Sequence, residues 1–566
     1  MGRSTVRNGR RTATVLVEPS GSEKRAAEGD NRRRIEIHKG RMAQVVDQAE
    51  RALVDSEANV YVRGGELVRV VESMALPIGR KNAIKRAHGA PMIAAHTVVS
   101  LADCLNRVAL FLRFDQRDHH WKSADCPKEV SETLLSRVGM WQFRPLTAVI
   151  SAPTLRPDGT ILSEAGYDQA TGFLLIEGMD LPAIPEEPTL RDAEEALATL
   201  EGLLEEFPFE GGTDRSATLA MLLTAIVRPS LPTAPLFAIT APTPGTGKSY
   251  LADLAAVLAT GRRAAVVGGS CDEDELDKRL GASLMAGDTI LNLDNLDRPL
   301  KSERLCQVLT QEVVKFRILG RSTNIDTPTK ALMIATGNAL RVHGDLTRRA
   351  LLIRLDAGQE RPETRKFKRD PVQVAIIDRP KYVAAALSIL RAFIVSGESV
   401  GSPSLGSFTE WSHWVRSALV WLCRPDPVGA MEKARGTDPE RERTSEILAA
   451  LLPEGIWTVK ELSRRLTPDA SINLNLRDAL ASFLKHNQFD RHGFGNWCAK
   501  HQNRPVSGMR LVEAGVDAKA KVRRWRVESV HQDHDGHDGL SSKSVAGTAG
   551  TRGDSFPLRT VSMTKS

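Results

Sequence analysis

The stretch LFAITAPTPGTGKS at 236–249 constrains the fold of this chain more than any other feature. An apolar run at 236–240 predicts a buried strand, and an apolar-periodic helix is predicted over 250–260. A glycine-rich loop between a strand and a helix is typical of phosphate binding, because backbone N–H groups close around the phosphates. Lys248 is then expected to reach the β- and γ-phosphates. The residues predicted to hold the nucleotide are Pro244, Gly245, Thr246, Gly247, Lys248, Ser249 and Tyr250.

The predicted ligand is ATP with Mg²⁺, and Ser249 is the predicted magnesium residue of the loop. The pattern GxxxxGK[ST] departs from its usual form at Pro242, which stands where the first glycine is expected. That glycine is the one least involved in phosphate contact, so the prediction is kept. The alternative is a chance turn that happens to precede a helix.

A second acidic position follows in the apolar stretch TILNLDN at 289–295. Asp294 lies at the end of a predicted strand, where an aspartate is expected to hold Mg²⁺ through water. The next residue, usually an acid that positions the attacking water, is Asn295. This weakens the prediction of fast hydrolysis. Asp297 or Glu303 are candidate substitutes outside the usual place, and Asp294 itself has the alternative interpretation of a helix cap or turn.

Further along, ALMIATGN at 331–338 predicts a strand that ends in Asn338. This amide is predicted to orient water against the γ-phosphate, with an ordinary turn asparagine as the alternative. Arg348 and Arg349 precede another apolar strand, and either is predicted to reach a neighbouring subunit's nucleotide. The alternative for both is surface charge or an ion pair.

The segment VVKFRILGRST at 313–323 predicts a basic hairpin, because its cations alternate with apolar residues. In a ring, such a hairpin is expected to point into the pore and contact phosphates. The cations are Lys315, Arg317 and Arg321. A solvated hairpin without a nucleic-acid role is the alternative.

Apolar strands alternate with helical stretches from 234 to about 357, which predicts an α/β core with a mainly parallel sheet. The full chain of 566 residues is long enough for three to four domains. The predicted organisation is a disordered basic tail at 1–41, an α+β accessory domain at 42–188, an ATPase domain with a leading helix at 189–372, a helical region at 373–440, a winged-helix-like domain at 441–528 and a disordered tail at 529–566.

Positive charge is concentrated near the two ends of the chain. Residues 1–41 hold eleven Lys and Arg against five Asp and Glu, and residues 491–526 hold nine against two. This distribution favours contact with a polyanion at the ends. No apolar run is long enough to span a membrane, and six cysteines without a CxxC pair favour reduced thiols and a cytoplasmic protein.

Three predicted helices (443–452, 459–466 and 474–485) and two strands (509–513 and 523–527) indicate a winged helix-turn-helix near the C-terminus. The helix at 474–485 is the predicted recognition helix, in which Arg477 and Lys485 are the cations. The hairpin cations expected to contact DNA are Arg510, Lys519, Lys521, Arg523, Arg524 and Arg526. A winged helix that binds protein is the alternative.

The order of PGTGKS, a strand ending in Asp294-Asn295, the basic VVKFRILGRS, a strand ending in TGN, and GDLTRR resembles the superfamily 3-type helicase ATPases. The stretches at 360–367 and 405–422 also resemble AAA-type ATPases and primase–helicases of phages, plasmids and integrated elements. The resemblance covers about 150–560. It implies a homo-oligomeric ring, a hexamer in this family, that moves on single-stranded DNA during replication of the element.

The resemblance implies that Lys248 and Ser249 contact the nucleotide and Mg²⁺ and that Asp294 is the acid that holds Mg²⁺. It also implies that Asn338 is the sensor of the γ-phosphate and that Arg348 or Arg349 is the arginine finger that reaches a neighbouring subunit's nucleotide. The predicted function is therefore an ATP-dependent DNA translocase or helicase. Its partners are single-stranded DNA in the ring and duplex DNA at the winged helix. The main alternative is a nucleotide-switched DNA-binding initiator with little hydrolysis, and a regulatory ATPase acting on proteins is a weaker one.

Overall fold

The computed structural model describes residues 2–4, 15–17, 32–74, 84–268, 272–317, 324–401, 403, 405–436, 438–466, 474–485 and 488–530. The chain divides into two compact units, Met1–Glu442 and Arg443–Ser566. The predicted tail at 529–566 and the cation Arg321 lie almost wholly or wholly outside the described residues.

The first unit begins with short strands and three helices. Their bounds are β1 (Gly2–Ser4), β2 (Val15–Val17), β3 (Arg33–Ile37), α1 (Met42–Asp55), β4 (Tyr61–Arg63), β5 (Glu66–Glu72), β6 (Pro91–Ala95), α2 (Val98–Val108), β7 (Ala109–Asp115), β8 (His120–Ala124) and α3 (Lys128–Ser136). The prediction of a disordered tail at 1–41 is wrong for β3, which pairs in parallel with β7. Ile35 is fully buried there, and its burial stabilises the strand.

Two small sheets form this accessory part. Strands β4, β5 and β6 pair antiparallel, with a turn at Gly64-Gly65 between the first two. Strands β3, β7 and β8 form the other sheet, and three helices cover one of its faces. Short strands then lead to the next part of the unit: β9 (Ala148–Ile150), β10 (Thr154–Leu155), β11 (Ile161–Leu162), β12 (Gly166–Asp168) and β13 (Phe173–Leu175).

A five-stranded parallel sheet forms the centre of the first unit and is consistent with the predicted α/β core. Its strands and the helices around it are α4 (Leu190–Leu203), α5 (Gly212–Val227), β14 (Leu236–Ala241), α6 (Lys248–Thr260), β15 (Ala265–Gly268), α7 (Glu273–Met285), β16 (Ile290–Leu296), α8 (Glu303–Thr310), β19 (Leu332–Asn338) and β20 (Ala350–Arg354). The order across the sheet is β15–β16–β19–β14–β20. Every residue of β14 is buried, as expected for a central strand covered on both faces.

The basic segment forms the predicted hairpin, β17 (Val313–Arg317) and β18 (Asn324–Pro328). Its buried face packs on α7, where Phe316 lies so close to Gly281 that a Cβ there would be 2.7 Å from the ring.

The accessory part is bound to the segment between α7 and β16. Arg86 forms a bidentate ion pair with Asp288 (2.6 and 2.7 Å), and the Ile93 N–H donates to the Ala286 carbonyl oxygen (2.8 Å).

The predicted helical region at 373–440 is helical over most of its described length. Its helices are α9 (Pro371–Ile377), α10 (Arg379–Ser396), α11 (Thr409–Trp411), a π-helical turn (Ser412–Arg416), α12 (Ser417–Trp421) and α13 (Gly429–Gly436), and α14 (Pro439–Leu451) continues into the second unit. Trp411 is fully buried, and its indole N–H donates to the Thr224 hydroxyl (2.8 Å). This tryptophan therefore belongs to the core.

The second unit contains α15 (Val459–Arg465), α16 (Leu474–Ala479), β21 (Leu484–Lys485), β22 (Gln488–Phe489), α17 (Arg491–His501), β23 (Met509–Val516) and β24 (Arg523–Ser529). The predicted recognition helix at 474–485 is wrong in extent. Helix α16 ends at Ala479, and a 3₁₀ turn (Ala481–Phe483) and β21 follow it. The helix that directly precedes the hairpin is α17, which the sequence did not predict and which packs against α15.

Candidate nucleotide site

The phosphate loop lies at the carboxyl end of β14. Gly245 (φ 75°) and Gly247 (φ 107°) adopt left-handed backbone conformations that favour glycine. Helix α6 begins at Lys248, and no side chain caps its N-terminus. The first N–H groups of the helix are therefore available to an anion, as the sequence predicts for 248–250.

Lys248 is positioned beside the ends of two strands. Its Nζ donates to the Asn338 side-chain oxygen (2.8 Å) and to the Thr243 carbonyl oxygen (3.3 Å). Burial lowers the pKa of Lys248, and the nearby negative charge of Asp294 opposes that shift. Strand β19 therefore brings the predicted sensor amide to the predicted phosphate lysine.

Asp294 is fixed by a neighbour in β19. The Thr336 hydroxyl donates to the Oδ1 atom of Asp294 (2.6 Å), and no hydrogen bond within the described residues engages Oδ2. The pairing of β16 with β19 shifts between Leu293 and Leu296, and Gly337 fits this bulge because a Cβ there would be 2.4 Å from the Leu296 carbonyl oxygen. In the TGN sequence, Thr336 therefore binds Asp294, Gly337 leaves room for the bulge and Asn338 binds Lys248.

Asn295 occupies the bulge itself. Its φ of 56° is left-handed, a conformation that asparagine tolerates better than most residues. Its N–H donates to the Thr336 hydroxyl oxygen (3.3 Å). Asp297 and Glu303 make no hydrogen bond or ion pair with Lys248, Asp294 or Asn338 in the part of the chain that the structure describes.

A cavity of about 800 Å³ opens in front of the loop. Its far wall is formed by the end of α4 and by the segment 363–371. Phe207 packs on Gly247, where a Cβ would be 3.3 Å from the ring, and Glu363 packs on Gly245, where a Cβ would be 3.2 Å from its Oε2 atom. The two parts of the wall are joined to each other, because the Arg365 guanidinium donates to the Glu206 carbonyl oxygen (2.8 Å).

The donor set fits magnesium. Ser249 is exposed in the first turn of α6, and its hydroxyl has no hydrogen bond within the described residues. With the carboxylate of Asp294, it supplies the hard oxygen ligands that Mg²⁺ prefers, and phosphate oxygens and water are expected to complete the coordination. No cluster of three or more His, Cys, Asp or Glu able to hold a metal occurs among the residues that the structure describes.

The two candidate finger arginines differ in their surroundings. Arg349 is 12% exposed, donates to the Cys306 carbonyl oxygen (2.6 Å) and the Thr310 hydroxyl (3.0 Å), and pairs with Asp345 (2.8 Å). It therefore holds α8 to the start of β20. Arg348 also pairs with Asp345, but its side chain is 49% exposed. Of the two, only Arg348 has the exposure that a contact with a neighbouring subunit needs.

The predicted nucleic-acid residues belong to both units. Lys315 and Arg317 are both exposed on β17, as the alternation predicts. Arg477 lies on the short helix α16. The hairpin cations of the second unit are mostly paired with acids of the same hairpin: Arg510 and Arg526 with Glu528, Arg523 with Glu513 and Arg524 with Asp517. Lys519 and Lys521 make no ion pair within the described residues.

No family model matches the chain, and no curated protein sequence matches it either. Three solved structures show a distant likeness. The apo C-terminal region of NrS-1 has a TM-score of 0.32 and 11% identity over 85% of this chain and 98% of that one. The JCV helicase has a TM-score of 0.21 and 14% identity over 46% and 72%, and the SCCmec type IV Cch active helicase has 0.30 and 11% over 74% and 85%. Likenesses of this size assign no residue role to this chain.

The remaining findings concern the whole chain. Within the described residues, no helix combines the length and the apolar character needed to cross a bilayer.

The sequence interpretation missed four residues of the candidate site: Thr336, Gly337, Phe207 and Glu363. Thr336 and Gly337 directly precede Asn338 in the TGN motif, so the sequence contained a signal for them. Phe207 and Glu363 are brought to the loop only by the tertiary fold, so local sequence gave no signal for them.

Proposed function

We propose that this chain is an ATP-dependent DNA translocase or helicase-like ATPase that acts in the cytoplasm during replication of a mobile genetic element. The observation that carries the proposal is the meeting of Lys248, Asp294 and Asn338 at the carboxyl edge of one parallel sheet. Ligand sites in such sheets lie at this edge. A lysine, a carboxylate and an amide beside open helix N–H groups form a site suited to a magnesium-bound triphosphate.

In this proposal, the amides of 245–250 and Lys248 bind the phosphates, while Ser249 and Asp294 hold Mg²⁺. The bound metal supplies charge neutralisation at the β- and γ-phosphates. Asn338 gives up its bond to Lys248 and orients water at the γ-phosphate. The half-exposed rings of Tyr250 and Phe367 give the cavity apolar surface for the base.

The proposed assembly is a ring of identical subunits in which Arg348 completes the neighbour's site. Lys315 and Arg317, exposed on the hairpin β17–β18, then contact phosphates of a single strand in the pore. The second unit, with its basic hairpin, is the proposed contact for duplex DNA.

The test is ATP turnover with and without single-stranded DNA, together with molecular mass in MgATP. DNA should stimulate turnover, and Lys248→Ala should lower it on the order of 100-fold, because a positioned charge on the phosphates is lost. Lys278→Ala removes an exposed lysine of α7 and should leave turnover at the wild-type level. Nucleotide binding without turnover in either condition would contradict the motor.

A second candidate is a nucleotide-switched initiator, and Asn295 is the observation that favours it. An amide cannot act as a general base for water. A strand-displacement assay separates the two functions, because a switch binds DNA in response to ATP but unwinds nothing. A folded protein without affinity for MgATP would contradict both.

A further inference from the structure

The sheet of β3, β7 and β8 has one covered and one uncovered face. Ile35 and Phe111 point into the core formed with α1, α2 and α3. Residues of opposite parity lie on the other face, because side chains alternate along a strand. Leu110, Leu112 and Phe114 belong to this outer face, and none of them joins a hydrophobic cluster among the described residues.

Aromatic rings gather at one end of the outer face. Phe114 pairs directly with Trp121 across β7 and β8, and their ring centroids are 5.5 Å apart in an edge-to-face arrangement. His38 lies 5.1 Å from Trp121, and His119 lies 6.4 Å from Phe114. Phe114 is 43% exposed, although a phenylalanine is normally covered. We call His38, Phe114, His119 and Trp121 the ring cluster.

The surroundings of the ring cluster are positively charged. Residues 32–41, which form β3 and the turn after it, contain five cations and one carboxylate. Arg33 pairs with Asp55 (2.7 Å), whereas Lys39 and Arg117 make no ion pair within the described part of the chain. The acids nearby are already engaged, because Lys122 binds both Asp115 (2.7 Å) and Asp118. The charges of Lys39 and Arg117 are therefore available to an anion.

We propose that the outer face of this sheet binds single-stranded nucleic acid, with bases stacked on Phe114 and Trp121 and phosphates held by the surrounding cations. Exposed rings on a sheet are a surface on which unpaired bases stack, and basic residues beside them bind the backbone. Duplex bases are already stacked on each other and do not offer their faces. An apolar protein partner would leave the excess cations without counterions.

This site is separate from the nucleotide cavity and from the hairpin β17–β18, so it does not depend on the proposed function. Binding here needs no ATP. Its failure and the failure of the motor are distinguishable, because one is measured as DNA affinity without nucleotide and the other as ATP turnover.

The experiment uses the full chain without nucleotide and fluorescence anisotropy of labelled dT20. Phe114→Ala should raise the Kd about ten-fold, which is the loss expected for roughly one stacked base. An abasic oligomer of the same length keeps the phosphates but offers no base, and its Kd should not change with Phe114→Ala. The matched control is Met140→Ala, which removes another exposed apolar side chain of the accessory part and should leave both affinities unchanged.

A second measurement locates the contact. Photocrosslinking with 5-iodouracil in the oligomer should label the tryptic peptides 114–117 and 118–122. Comparison of dT20 with rU20 identifies which nucleic acid is preferred, and either result supports the proposal. Lys248→Ala should leave dT20 binding without nucleotide intact.

Three results would overturn the proposal. The first is an unchanged dT20 affinity of Phe114→Ala, and the second is an equal loss on dT20 and on the abasic oligomer. The third is a change in the oligomeric mass of the Phe114→Ala variant in solution while its dT20 affinity stays the same. That result would identify the outer face as an interface between proteins.

Discussion

At the scale of single residues, the candidate site is held together by hydrogen bonds that the proposed nucleotide would have to replace. Lys248 donates a hydrogen bond to the Asn338 side-chain oxygen at 2.8 Å. Burial lowers the pKa of the lysine, so its charge is lost at a lower pH than that of a solvated lysine. Phosphate oxygens can take over this bond, because they offer the lysine a full negative charge.

Substitution of Asn338 separates two roles of this residue. Asn338→Asp should weaken ATP binding on the order of ten-fold, because a carboxylate at 2.8 Å pairs with Lys248 and repels the γ-phosphate. Asn338→Ala removes the amide without adding charge, so it should lower kcat with a smaller effect on affinity. Equilibrium binding of a fluorescent ATP analogue and steady-state turnover measure the two effects. Equal affinities of the two variants would contradict this interpretation.

Glu363 places a negative charge beside the phosphate loop. Its carboxylate lines the cavity and packs on Gly245. Glu363→Gln should therefore tighten ATP binding by about five-fold, since like charges at this separation oppose each other by roughly 1 kcal/mol. The control is Glu360→Gln, which removes an equal charge from the same exposed segment without touching the cavity. Weaker binding of Glu363→Gln would show instead that the carboxylate assists the ligand.

Local spacing was sufficient to place the candidate residues Lys248, Asp294 and Asn338 near the carboxyl ends of strands, because each follows a recognisable apolar run. It was insufficient for Phe207 and Glu363, which reach the loop from distant parts of the chain. The same limit applies to Arg348 and Arg349. The sequence treats these neighbours alike, and only packing against α8 distinguishes the held side chain from the exposed one.

At the scale of elements, apolar periodicity predicted the strands of the central sheet better than the helices of the second unit. Helix α17 contains Gly493 and Gly495, which have low helix propensity. Burial of Phe494 and Cys498 outweighs that propensity. The predicted helix at 474–485 does not reach its expected end, because the Phe483 ring packs edge-to-face against the Phe494 ring. The two ring centroids are 5.1 Å apart. Tertiary packing of aromatic rings around Phe494 therefore accounts both for the presence of helix α17 and for the early end of the predicted helix at 474–485.

The turn between β4 and β5 provides a matched pair of glycines. A Cβ on Gly64 would be 2.3 Å from the Asp326 carbonyl oxygen in β18, whereas a Cβ on Gly65 would have no atom within 4 Å. Both residues have positive φ. Gly65→Ala should cost about 1 kcal/mol of unfolding free energy from backbone strain alone, and Gly64→Ala about 3 kcal/mol, because the turn must also separate from the hairpin.

Urea unfolding of the full chain measures both glycine variants. Equal losses of stability would mean that the turn and the hairpin β17–β18 are not packed against each other in solution. A greater loss for Gly64→Ala would identify the accessory part as a support for the hairpin that carries Lys315 and Arg317.

At the scale of the whole molecule, buried cations connect the central sheet to its surroundings. Arg228 is 2% exposed and donates to the carbonyl oxygens of Ala331 (3.0 Å) and Leu231 (2.7 Å). Lys330 donates to the same Leu231 oxygen (3.2 Å). Burial, followed by repulsion from Arg228, lowers the pKa of Lys330 to about 8. Lys330 lies directly before β19, which carries Asn338, and Arg228 contacts the same end of that strand through the Ala331 carbonyl.

Lys330 makes the stability of the first unit depend on pH. The unfolded chain binds this proton up to the ordinary lysine pKa of 10.5, whereas the folded chain releases it near 8. Between these values the unfolded state holds more protons, so the unfolding free energy should rise with pH, by at most about 1.4 kcal/mol per pH unit from this group. Lys330→Met should remove that rise.

Denaturant unfolding from pH 7 to pH 10 measures this contribution. The control is Lys301→Met, an exposed lysine, which should keep the wild-type slope. The same slope in Lys330→Met and in the wild type would mean that another group is responsible.

The docking of the accessory part has a mechanical consequence. Arg86 binds Asp288, and Ile93 bonds to Ala286, directly before the seven-residue strand that carries Asp294 near its other end. An extended chain transmits tension with little stretch. Under the two proposals above, a force on nucleic acid bound at the ring cluster would pass through these contacts to β16 and to Asp294, the proposed magnesium ligand. Nucleic-acid binding and phosphate release would then be coupled through one strand.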